Sequence, residues 1–217
     1  MQNILQNKIS SLLLLAAAFL IIYIPGIGFP YTFCIIIGFI LLSTFLQDGN
    51  IHSLNFKKIG AKELKTIILC YLALELSIDF IIDPVINRIC NESADYSMFS
   101  SLQGNTSKYL SWLAKMWISA AIGEELLFRA FAYSQIKRIF GERNILFVLL
   151  SALLFSLPHI YQGIAGLLST FVFGIAFAFI YMKFKNIWIN IIVHGLVDTL
   201  FLTLSYLGLT GFYSLIW

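Results

Sequence analysis

Ile122-Gly123-Glu124-Glu125-Leu126-Leu127-Phe128-Arg129 sets three ionisable side chains inside an apolar stretch with a helical pattern. Whether the surrounding segment, about 109–136, crosses a bilayer sets the architecture of the whole chain. At membrane depth each such group costs on the order of several kcal/mol, so ionisable side chains are rare there and mark functional sites. The composition supports that setting. Of 217 residues, 59% are hydrophobic and 12% charged, and the mean hydropathy of +0.88 lies well above that of an average soluble domain.

Working outward, seven segments come close to the roughly 20 apolar residues that a span requires: about 9–25, 30–47, 66–87, 109–136, 144–160, 163–182 and 187–206. Backbone groups in lipid must be satisfied within their own segment, so these runs are expected to be helices. The fold class is therefore all-α, a polytopic bundle of about seven transmembrane helices with a polar pocket inside the membrane. One membrane domain is expected over 1–217: three spans and an outer loop in 1–108, the motif-bearing helices in 109–206, and an interfacial tail, 207–217, with Tyr213 and Trp217 as aromatic anchors. The first run follows Lys8 without a small-x-small cleavage site, so it is read as a retained span.

The basic residues give the orientation. With the N-terminus in the cytoplasm, Lys8, Lys57, Lys58, Lys62, Lys65, Lys137, Arg138, Arg143, Lys183 and Lys185 fall inside, and Arg88 and Lys108 fall outside. That asymmetry follows the positive-inside rule and puts the C-terminus outside. A multi-pass protein of the plasma membrane is expected. Abundant Ile, Phe, Lys and Asn hint at a low-GC bacterial genome. There is no basic patch interleaved with aromatics, no Gly-rich phosphate loop and no internal repeat, so neither nucleic acid nor nucleotide is expected as a partner. Cys34, Cys70 and Cys90 are odd in number and form no Cys-x-x-Cys pair; Cys34 and Cys70 read as packing residues.

Two further apolar segments carry ionisable groups, Phe155-Ser156-Leu157-Pro158-His159 and His194-Gly195-Leu196-Val197-Asp198. At about 1.5 Å per residue, Glu124 lies about 20 Å from the inner surface, His159 about 24 Å, and His194 and Asp198 about 14 and 20 Å. Three helices thus bring polar groups into one layer. Glu125 and Arg129 are spaced to pair along their helix, while Glu124 points about 100° away towards another neighbour. Ala120, Ala121 and Gly123 let a second helix approach closely. Pro158 frees the carbonyl of Leu154, as at a helix end lining a cavity. Asp198, one turn from His194, is placed to fix its tautomer. Taken singly, a Glu125–Arg129 pair is equally packing glue, and a lone membrane histidine is more often a satisfied core residue. Three motifs at one depth weigh against an all-structural explanation. His52 reads as a solvated loop residue and Lys115 as a snorkelling one. The 88–108 connection is either a plain solvated loop or a flap over the pocket.

Glu124-Glu125-x-x-x-Arg129, Phe155-x-x-x-His159 and His194-x-x-x-Asp198, in that order on successive helices, resemble the CAAX prenyl endopeptidase and bacteriocin-processing (Abi, or CPBP) family of intramembrane proteases. The resemblance covers about 109–200. It implies a helical bundle with its site inside the membrane, Glu124 and His159 activating the attacking water, and His194 and Asp198 stabilising the oxyanion. Glu125, Arg129 and Phe155 would be supporting residues. The prenyl-protease branch usually has Asn at the last position, where this chain has Asp198. An ionised carboxylate cannot donate to an oxyanion, so either Asp198 is protonated or it only orients His194.

The expected activity is endopeptidase cleavage of a membrane-associated peptide or protein, without a cofactor. A base for water and a donor for the oxyanion are what amide hydrolysis requires. Other readings stay open. Glu124, His159, His194 and Asp198 would also supply a mixed nitrogen and oxygen zinc site, although no His-Glu-x-x-His sequence is present. Buried Glu, His and Asp also build transport paths, but no inverted repeat is seen. A non-catalytic bacteriocin immunity or scaffold protein would keep the pocket without using it.

Overall fold

A computed structural model describes residues 5–216. All regular structure among them is helical: α1 is Lys8–Leu20, α2 Tyr31–Asp48, α3 Ala61–Ser77, α4 Asp83–Cys90, α5 Thr106–Met116, α6 Ala132–Phe140, α7 Asn144–Ser156, α8 Gly163–Phe184 and α9 Ile187–Tyr206. Helix α3 runs into α4 through a π-helical turn, Ile78–Ile82, and α5 runs into α6 through π-helical stretches at Trp117–Glu124 and Leu126–Phe131. The helix starts are legible in residue type. Asn7, Asn105 and Asn186 each turn a side-chain oxygen onto a first-turn N–H, that of Ser10, Lys108 and Trp188 respectively. Gly49, in the left-handed conformation, ends α2. Pro158 has no N–H to continue α7, and the chain tightens into a 3-10 turn, Leu157–Gln162.

Each of the seven apolar segments is helical. Among the described residues, three helical runs are long and apolar enough to cross a membrane: Tyr31–Asp48, Asn144–Phe184 and Ile187–Tyr206. The middle run is a hairpin, because Ala152 of α7 lies against Gly174 of α8 while Phe147 lies against Tyr181, an antiparallel pairing. The apolar run Lys8–Tyr23 is shorter. Glu75, Asp79 and Asp83 interrupt the apolar character of α3–α4, and Lys115, Glu124, Glu125 and Arg129 that of α5–α6.

The continuous helix from Thr106 to Phe140 is the axis of the bundle. Its Leu126, Leu127, Phe128 and Phe131 are buried against Leu15 of α1, Ile36 and Ile40 of α2, Phe147 of α7, Tyr181 of α8 and Ile191 of α9. Large apolar side chains such as Ile9, Tyr31, Ile89 and Ile145 point outwards, a surface suited to lipid chains. Lipid is as apolar as leucine, so helix association there depends on close packing over small residues. An added Cβ at Gly174 would lie 2.7 Å from Ala152 Cα, one at Gly123 2.8 Å from Phe33 and one at Gly195 2.7 Å from Trp117. The obstacle at Gly174 is backbone and cannot rotate away. Gly174→Ala is therefore expected to destabilise the protein by about 1–3 kcal/mol through overpacking, read as a lower midpoint of thermal unfolding in detergent. An unchanged midpoint would contradict the close α7–α8 approach.

The 91–105 connection is tied down over one end of the bundle. Glu92 accepts from the N–H groups of Ile164 and Ala165 at the start of α8, at 2.7 and 3.2 Å, a favourable place for a carboxylate. The N–H of Asp95 donates to the Gln162 carbonyl at 2.9 Å, and that of Gly104 to the Tyr206 carbonyl at 2.9 Å. Phe99 and Leu102 are buried. The connection is thus a fixed cover and not a plain solvated loop. Tyr213 of the tail packs inwards on Tyr96 and Phe201 at 5.5 Å each, and Asn87 donates to the carbonyls of Tyr213 and Leu215. Tyr213 is therefore half-buried against these rings; Trp217, its predicted companion anchor, lies outside the described residues. In the turn between α8 and α9, burial, with Lys137 nearby, lowers the Lys185 ammonium to about 8, and its Nζ stands 3.1 Å from the Tyr133 ring centroid.

Candidate active site

The site is built on one ion pair. Glu125 and Arg129 are both fully buried, and Arg129 Nη1 lies 3.1 Å from Glu125 Oε1. The guanidinium is also held between aromatic faces, 4.2 Å from the Phe155 ring centroid and 5.2 Å from that of Phe177, an arrangement that attracts a cation. Phe155 thereby joins the first motif to the second. Glu125 does more than neutralise Arg129. Its Oε2 accepts from Asn190 Nδ2 at 3.1 Å, and its Oε1 lies 2.9 Å from His194 Nδ1. An ionised carboxylate only accepts, so Nδ1 of His194 carries a proton and Nε2 is the nitrogen left for chemistry.

His194 Nε2 then lies 4.0 Å from Glu124 Oε2 and 3.8 Å from Asp198 Oδ2. Asp198 therefore does not fix the histidine tautomer, as its spacing suggested; Glu125 does so from another helix. Glu124 and Glu125 both turn towards His194, instead of serving separate neighbours. The π-helical widening of the turns at Trp117–Glu124 and Leu126–Phe131 departs from the 100° step that separates neighbours on an α-helix. Behind His194, Gly195 seats the Trp117 ring, whose Nε1 donates to Thr199 Oγ1 at 3.1 Å.

The second histidine follows the same logic. His159 Nδ1 is 3.0 Å from the Phe155 carbonyl oxygen. A carbonyl only accepts, so Nδ1–H donates and Nε2 is free. Glu124, His159, His194 and Asp198 all line one cavity of about 260 Å³, together with Phe33, Trp112 and Met116. A second cavity, of about 140 Å³, shares His159, His194 and Asp198 with the first. Among the described residues, no group of three or more His, Cys, Asp or Glu is placed to hold one metal ion.

Four residues of this region belong to none of the three motifs. Asn190 lies one turn before His194 and binds both Glu125 and the Phe177 carbonyl, the latter at 2.9 Å. Glu75, Asp79 and Asp83 line the smaller cavity. Their signal was available in the four-residue spacing of three carboxylates within one apolar segment.

A search of curated proteins and a search of solved structures each found no match. Residues 106–200, the segment that carries all three motifs, match the family model described as Type II CAAX prenyl endopeptidase Rce1-like, the CAAX protease family that those motifs resemble.

Proposed function

We propose that this membrane protein is an intramembrane endopeptidase that hydrolyses a peptide bond in a membrane-associated peptide or protein. The observation that carries the reading is the convergence of Glu124, His159, His194 and Asp198, from three helical elements, on one cavity. The family match over residues 106–200 supports a CAAX-type protease. We also read the seven apolar helices as seven crossings, with the N-terminus on the side of the clustered lysines.

Glu124 is the general base: it takes a proton from water as the water oxygen attacks the scissile carbonyl carbon. The free Nε2 of His159 orients that water. The developing oxyanion faces His194 Nε2, which donates when the ring carries both protons. An ionised Asp198 accepts only, so the donor role falls to His194 and a positioning role to Asp198. As the C–N bond breaks, the proton held by Glu124 passes to the leaving amine.

This route needs no resident metal: Glu124 takes the proton from water and His194 faces the oxyanion. Peptide cleavage by the purified protein in nanodiscs is expected to stay within about twofold after strong chelation. Loss of cleavage that added zinc restores would instead assign Glu124, His159, His194 and Asp198 to a zinc site.

A further inference from the structure

Glu75, Asp79 and Asp83 recur every four residues along α3–α4, are each 9% exposed or less, and line the 140 Å³ cavity beside His159, His194 and Asp198. Ser169 donates to Asp83 Oδ1 at 2.7 Å. Glu75 Oε1, by contrast, is buried with no N–H or hydroxyl donor on it, its neighbour being another carboxyl, that of Asp79. Gln162 Oε1, on another helical element that lines this cavity, is likewise buried without a donor, whereas Asp198 Oδ2, also without a hydrogen bond, lies 3.8 Å from His194 Nε2. Gln162 is only 6% exposed, and its Nε2 is already engaged with the Tyr161 hydroxyl at 3.2 Å. Buried polar groups without partners are few in folded proteins and costly. Here they are all acceptors, so their partner is a donor. Among the described residues no Lys or Arg lines the cavity.

The walls narrow the choice of donor. Tyr96 and Phe201 pack at 4.8 Å, and Tyr213 packs on both at 5.5 Å. Aromatic rings beside carboxylates make a cation-binding enclosure. A shared proton would neutralise a carboxylate but would leave Gln162 Oε1 without a donor. An ammonium brings three N–H donors and a guanidinium five. The volume is comparable with cavities of about 150 Å³ that take up a benzene-sized molecule.

We propose that this cavity binds the ammonium or guanidinium of a basic residue in the substrate, next to the scissile bond. The site selects membrane peptides with Lys or Arg at one position and holds the chain while Glu124 and His159 act. This rests on the proteolytic reading for the purpose of binding, but not for binding itself.

The test uses the full chain in nanodiscs and two probes, N-decanoyl-lysinamide and its uncharged counterpart N-decanoyl-norleucinamide, with affinity measured by calorimetry. Wild type is expected to bind the lysine probe at least about tenfold more tightly. The Glu75→Gln/Asp79→Asn variant, which keeps the side-chain shapes, is expected to lose that preference. Equal affinity of wild type for both probes overturns the proposal and needs no variant to interpret. Retention of the preference by a folded double variant overturns it as well. In a second arm, peptides differing only in Lys or norleucine near the cut are offered for cleavage. Cleavage without a charge preference overturns the cation site alone. A lysine preference in binding with no cleavage of any peptide keeps the cation site and sinks the proteolytic reading.

Discussion

Glu124→Gln is expected to lower kcat for peptide hydrolysis by about 10²–10⁴-fold, the usual contribution of a positioned general base. The substitution keeps the size of the side chain and removes only its ability to take a proton. Glu124 lies at the cavity wall, 4.0 Å from His194, and makes no ion pair with Arg129. KM and the amount of folded protein in the membrane should therefore change little. A matched fall in protein level would place Glu124 in the scaffold instead of the chemistry.

Arg129→Met should act in the opposite way, through stability. Arg129 is completely buried, and its removal leaves the equally buried Glu125 without its cation. Breaking such a pair costs about 3–5 kcal/mol. The expected readout is a large drop in the thermal midpoint in detergent and rapid loss of protein from the membrane. The double variant Glu125→Leu/Arg129→Met separates support from function. Replacing both partners of a buried pair by apolar residues is often neutral for stability, so the double variant should regain much of the lost stability. It should remain inactive, because His194 Nδ1 has lost its partner at Glu125 Oε1. Activity in a stable double variant would show that Glu125 is only packing glue.

The helices and the convergence of the motifs were legible because both follow from spacing. Apolar length marks the segments, and a rise of about 1.5 Å per residue brings Glu124, His159, His194 and Asp198 to similar depth. What spacing does not encode is rotation about a helix axis. Glu125 was read as the partner of Arg129 alone, yet it also holds His194 and Asn190, because the helix around it is π-wound. The tautomer of His194 was assigned to Asp198, its neighbour along the helix, whereas the bond comes from across the bundle. The cover over the site was undecided for a related reason. Glu92 and Asp95 fasten it to the start of α8 through backbone groups that no residue pattern reveals. Glu75, Asp79 and Asp83 match none of the three motifs, although their spacing alone puts them on one face.

Mass spectrometry of membrane-associated peptides from cells carrying either the wild-type chain or Glu124→Gln, matched for protein level, tests the central claim most directly. The account predicts peptides cut at a defined bond with the wild type and uncut with the variant. Identical peptide sets from two folded proteins, with a peptide that the wild type binds present in the cells, would contradict it.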